Sequence, residues 1–180
     1  MAAARALQNT PETIIASYAA GSDETSSREI TTFFKNYRTQ LLTSKTDDTI
    51  ETGTGRCVRP GEPENLKPRE IVQANCERDE GCLYCKNYRV IPDRHDLRKL
   101  HSYKAVLIAS QHREGLHESA EKKYTDIASK IDQIVATVIA TGLISEIDSE
   151  TIRKKAEKHV DLHPYWQRKI ELLIQIGVLR

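Results

Sequence analysis

The chain has little of what fills a large core: two Phe, one Trp and one Met in 180 residues. Its interior must rest on Ile, Leu, Val, Ala and seven Tyr, and a core that modest gains from a staple. No apolar run approaches ~18 residues, which excludes a transmembrane helix. The opening Met1 to Leu7 is too short and too weakly apolar for a signal peptide. Without a secretory signal the expected setting is the reducing cytoplasm, where disulfides are rare. Net charge is only +1, from 27 basic and 26 acidic residues, so no strong global pull on nucleic acid is expected. No Gly-rich phosphate loop or nucleophile elbow occurs. The six histidines (His95, His101, His112, His117, His159, His163) stand in no recognisable catalytic spacing and read as surface or helix-end residues. What remains is a polar but foldable composition, 38% apolar and 29% charged, with a mean hydropathy of −0.56.

The four cysteines are the informative residues. Cys57, Cys76, Cys82 and Cys85 all fall between residues 57 and 85, with gaps of eighteen, five and two. Cys82 and Cys85 have the spacing that lets two sulfurs converge on one ion, and Gly81 offers the backbone freedom of a metal knuckle. Cys57 and Cys76 complete a closed shell of four thiolates, the arrangement that holds zinc for folding rather than for chemistry. A thioredoxin-like redox pair would need a surrounding βαβ pattern, and a zinc deaminase an upstream His-x-Glu; neither is seen. Free buried thiols are the bland alternative.

Periodicity predicts a mainly α protein, a helical bundle with a four-cysteine zinc knuckle and a long irregular loop. Thr10 caps a first short helix to about residue 19, with Pro11 at its first position. A second runs from Ser26 or Ser27 to about Leu42 on the stripe Ile30, Phe33, Phe34, Tyr37, Leu41. Residues 43–68 lose periodicity and read as a loop pinned by Cys57. Tyr88 to Pro92 reads as short and extended. Asp93 caps a helix carrying Leu97, Leu100, Tyr103, Val106 and Leu107. The longest helix spans about Glu114–Thr141 on the stripe Tyr124, Ile127, Ile131, Ile134, Val135, Val138, and Gly142 stops it. Asp148 or Ser149 caps the next, with Ile152, Ala156 and Val160 inside. His163-Pro164 opens the last, packing Trp166, Ile170, Leu173 and Ile176. The expected divisions are 1–22, a tail of a larger domain; 23–45, a linking helix; 46–92, knuckle and loop; and 93–180, a helical bundle.

Between Lys86 and Lys104 six basic residues face Asp93 and Asp96, a local excess of +4. A solvated helix face and a phosphate-facing surface are the two readings. For the second, Arg94, Arg98, Lys99 and Lys104 are the candidates, giving salt-sensitive, largely sequence-independent DNA contact.

The stretch from Leu7 to Tyr18 resembles the last catalytic box of the tyrosine recombinases and phage integrases. There a Leu-Gly-His element precedes the nucleophilic Tyr by nine residues, counted from the His. Asn9 stands nine residues before Tyr18, and Thr13 stands where the family has a Thr. Gly81 to Cys85, Asp96 to Leu100, and Pro164 to Trp166 with Lys169 to Leu173 resemble the C-terminal extension of integrase-like proteins of bacterial mobile elements. The resemblance implies strand exchange in DNA integration or recombination, with Tyr18 as the nucleophile and Asn9 at the family's His position. Partners would be DNA and other recombinase subunits or mobile-element proteins. A tyrosine of ordinary pKa near ~10 needs cationic neighbours to attack phosphate at neutral pH. Only seventeen residues precede Tyr18, so the family's upstream Arg and Lys motifs are not expected in this chain. Gln8 replaces the family's Gly, and Asn9 can donate a hydrogen bond but cannot shuttle a proton. The expectation is a zinc-stapled C-terminal part that does not cleave DNA alone. A non-enzymatic, zinc-containing interaction module of a mobile element is the alternative.

Overall fold

Three strands of two residues each make a small antiparallel sheet: β1 (Ile50–Glu51), β2 (Arg56–Cys57) and β3 (Tyr88–Arg89), in that order. Among the described residues the helices that follow the sheet's first strands are α1 (Asp79–Leu83), α2 (Arg94–Gln111), α3 (Glu118–Ile139), α4 (Glu146–Glu157) and α5 (Pro164–Gln175). The computed structural model describes residues 32, 38–44, 48–68, 71–111 and 118–177. Gln40–Arg180 forms one compact unit and Met1–Thr39 another. The helix over 10–19 and most of the one over 26–42 lie outside the described residues, apart from helical residues 38–41. The stretches 46–92 and 93–180 belong to the same unit. Mainly α is therefore correct.

The helix α2 is central. It packs on α3, α4 and α5, so almost every residue from Asp96 to Leu107 is buried, including Lys99, His101 and Ser102. An apolar stripe is what a helix with one packed side shows; a helix contacted all round must bury polar residues and satisfy them. His101 is therefore not a surface histidine. It is 4% exposed and shares a hydrogen bond with Ser149 Oγ at 3.1 Å.

Capping explains the helix starts. Asp93 Oδ1 accepts from Asp96 N at 2.9 Å, three residues into α2. His163 caps α5, accepting from Tyr165 N, with Pro164 at the first turn. The helix α4 starts earlier than expected, because the cap is Ser145: its Oγ accepts from Asp148 N at 3.0 Å and donates to Asp148 Oδ2 at 2.8 Å. Gly142 at φ +74° ends the turn after α3. Val160 is 75% exposed rather than inside. The helix has stopped at Glu157, and His159 at φ 55° turns the chain away.

The expected loop over 43–68 is tied down at points. The backbone turns at 52–55 (Thr52 N to Gly55 O, 2.8 Å), and Val58 N donates to Asn87 O at 3.1 Å. Leu66 N donates to Tyr84 O at 2.9 Å, and Val90 N to Leu41 O at 2.8 Å. Tyr88 OH donates to Thr54 O at 2.7 Å. Trp166 is the bolt between sheet and helices: it is 1% exposed, stacks on Tyr103 at 4.3 Å, and its Nε1 donates to Gly53 O at 2.7 Å.

Candidate metal centre

Three chain segments carry the cysteines. Cys57 ends β2, Cys76 lies in the loop before α1, and Cys82 sits within α1 with Cys85 just past its end. That short helix is not among the predicted elements. Gly81 is required there by space: a Cβ would meet the backbone oxygen of Asn75 at 2.4 Å. All four cysteines line one cavity of about 20 Å³, room for one sphere of water or ion size.

The cavity is furnished for sulfur anions. Backbone N–H groups of Glu64 and Asn87 donate to Cys85 Sγ at 3.5 and 3.4 Å. Arg56 and Arg59 stand in the wall, and Arg89 interacts electrostatically with Cys57 and Cys85. Zinc held by four thiolates would carry a net charge of about −2, which these guanidinium groups would offset. Left to themselves the Cys57 and Cys82 sulfurs stay protonated. Burial pushes the Cys82 thiol up to about 12, with Asp79 and the other three cysteines adding to it; burial also raises Cys57. A bound cation reverses that balance, because a coordinating thiol is deprotonated outright.

The sulfurs share a cavity without forming a closed quartet. Four zinc bonds of about 2.3 Å place sulfurs about 3.8 Å apart, whereas no three of these thiols lie within 4.8 Å of one another. The four cysteines thus line one pocket, and the expected zinc knuckle is not formed: the thiols are too far apart to share one ion as placed. Among the described residues, one trio of potential ligands does meet that spacing: Glu51, His95 and His163.

That trio belongs to a polar cluster between sheet and helices. His95 Nε2 and Glu51 Oε1 are 2.9 Å apart, and the rings of His95 and His163 meet edge to face at 5.0 Å. Lys99, fully buried, reaches Glu51 Oε1 at 2.7 Å, Asp96 Oδ1 at 3.0 Å and Gly55 O at 3.4 Å. The Lys99 bond, helped by His95, holds the Glu51 carboxyl down at about 2. Burial and the neighbouring His95 lower His163 to about 4. Asp96 is equally enclosed: its Oδ2 accepts from Ile91 N at 2.9 Å, with Arg56 Nε at 3.8 Å.

The four residues nominated for phosphate contact each pair with a carboxylate of the chain. Lys99 is buried and cannot reach DNA. Arg94 pairs with Asp148 at 2.5 Å, Lys104 with Asp132 at 2.6 Å, and Arg98 with Asp161 at 2.5 Å and with Leu162 O at 2.7 Å. Three carboxylates, from α3, α4 and the turn before α5, offset most of the excess of +4 read along the chain, and Glu64 pairs with Lys86 and Glu51 with Lys99 besides. Tyr18 and Asn9 lie outside the described residues, as do His112 and His117. Sequence reasoning did not find Glu51, His95 and His163 as a set, since no local spacing joins residues so far apart. Sequence reasoning also missed the arginines at the cavity, although Arg56 and Arg59 flank Cys57 and offered a local signal.

Among the described residues no helix is long and apolar enough to cross a membrane. Compared with known proteins, the chain matches no family description, no curated protein and no solved structure.

Proposed function

We propose that this chain is a zinc-stapled helical part of a tyrosine recombinase or integrase-like protein acting in DNA integration or recombination, and that it is not catalytically competent alone. The observation that carries the zinc reading is the meeting of Cys57, Cys76, Cys82 and Cys85 at one ion-sized cavity with Arg56 and Arg59 in its wall. Zinc would draw the four sulfurs together and cross-link β2, the preceding loop and α1, supplying folding energy and no reaction chemistry. The recombination reading rests on the Leu7–Tyr18 box and on the likeness of the cysteine and Pro164–Trp166 segments to integrase extensions. In it Tyr18 is the nucleophile and Asn9 takes the His position. The test is incubation with nicked suicide DNA substrates. No covalent adduct is expected from this chain alone, and an adduct that disappears in Tyr18→Phe would make it an enzyme in its own right.

A second reading, a non-enzymatic interaction module, is favoured by one observation: Arg94, Arg98 and Lys104 each already hold a carboxylate, while α5 exposes Leu172 and Ile174 and Ile176 follows exposed beyond it. Gel-shift titration at two salt concentrations separates the two. Affinity that collapses with salt supports DNA contact; no shift at low salt supports protein contact.

A further inference from the structure

We propose that Glu51, His95 and His163 form a second site, for a divalent transition metal such as Zn2+ or Co2+, independent of the cysteine cavity and of the recombination reading. The three side chains come from β1, the first turn of α2 and the N-cap of α5, yet one donor atom of each lies within 4.8 Å of the other two. Two imidazoles and one carboxylate are a donor set that suits zinc and other borderline cations and leaves positions open for water or ligand. The site is reachable, since Glu51 and His95 are exposed and His163 is half-buried. Both contacts made by Glu51 fall on Oε1, so Oε2 is placed to turn toward an ion. Lys99 would keep Asp96 and the Gly55 carbonyl as partners.

The surroundings set the strength. The Lys99 ammonium, the Arg98 guanidinium and the positive N-terminal ends of α2 and α5 all oppose a cation here. The proton of His163 must also sit on the nitrogen that does not bind metal. Binding through Nε2 therefore costs the 3.3 Å bond that Nδ1 accepts from Tyr165 N. The site should be weak and exchangeable, filling only after the cysteine cavity.

The experiment is a Co2+ titration of the untagged chain with two separate readouts. Thiolate-to-cobalt charge-transfer absorption reports the cysteines, and paramagnetic broadening of assigned imidazole resonances reports the second site. The expected result is joint broadening of His95 and His163 after the thiolate band saturates, with His101 and His159 still sharp. In a chain carrying His95→Gln and His163→Asn, which retains a capping side chain on α5, the second equivalent should be lost and the thiolate band kept. Glu51→Gln should weaken the second equivalent roughly tenfold or more. Unbroadened imidazoles at millimolar cobalt, or a second equivalent unchanged in these variants, overturns the site. A missing thiolate band sinks the cysteine reading alone, because the imidazole readout does not depend on it.

Discussion

The stretch from Ile50 to Val90 and the stretch from Arg94 to Gln175 are held by different means. The second is a set of helices around α2, with Leu97, Leu100, Ile127, Ile131, Ile134, Val138 and Trp166 all almost fully buried. The first has three two-residue strands and a five-residue helix, with Val72, Leu83, Tyr84, Tyr88 and Val90 as its main buried apolar residues. Single backbone bonds at wide sequence separation, and the wall of one small cavity, must do there what continuous packing does in the bundle. Local stability follows buried contacts and protected backbone bonds. The bundle can stand on its apolar faces, whereas the cysteine region has far fewer of them, and it is there that the proposed zinc cross-link would act.

Chelation breaks that comparison most sharply. Removing zinc with a strong chelator should cost the cysteine region a binding term on the order of 10 kcal/mol. Amide exchange should rise by orders of magnitude over β1, β2, α1 and β3 while α3 and α4 stay protected. Uniform loss of protection would mean the two regions are one cooperative unit.

Trp166→Ala comes next. The ring is buried against Tyr103 and its Nε1 is bonded to Gly53 O, so the substitution should cost about 3–5 kcal/mol in urea unfolding. It should also raise exchange at the 52–55 turn, since it removes the bolt between the regions.

His101 sharpens the bundle side through pH. Burial, aided by Lys104, lowers it to about 4, and Nδ1 has no acceptor to bond if it gains a proton. With an unfolded value of ~6.5, the unfolded chain binds more protons than the folded one between about 6.5 and 4. Stability contributed by the neutral imidazole is therefore lost as pH falls through that window, by about 2–3 kcal/mol. His101→Gln should remove that slope. Release of the proposed zinc in acid would affect both proteins and cancel in the difference between them.

The smallest effect is at the α4 cap. Ser145→Ala should cost about 1 kcal/mol, confined to the first turn of α4 in exchange measurements.

How far the sequence could be read follows the same divide. The stripe on α3 was legible because one face packs: Ile127, Ile131, Ile134, Val135 and Val138 are buried as spaced. Asp93, Gly142 and His163-Pro164 were legible because caps and stops are local chemistry. Ser145-x-x-Asp148 was equally local, and was passed over for candidates three and four residues on. Of the sheet only β3 was legible, inside the extended stretch Tyr88 to Pro92; β1 and β2 were not, since two residues show no alternation. Nor was the burial of Asp96 and Lys99, which depends on Glu51 and Arg56 arriving from a turn some forty residues earlier. The cysteine spacing pointed to a common site; the four residues line one cavity, but their sulfurs do not cluster as a site. The separation of their sulfurs is a matter of side-chain placement that spacing does not determine.

The most direct test is zinc content together with X-ray absorption at the zinc edge on the purified, untagged chain. One tightly held zinc per chain, with four sulfur neighbours at about 2.3 Å, is the predicted result. Well below one zinc per chain, or a shell of nitrogen and oxygen in place of sulfur, contradicts it.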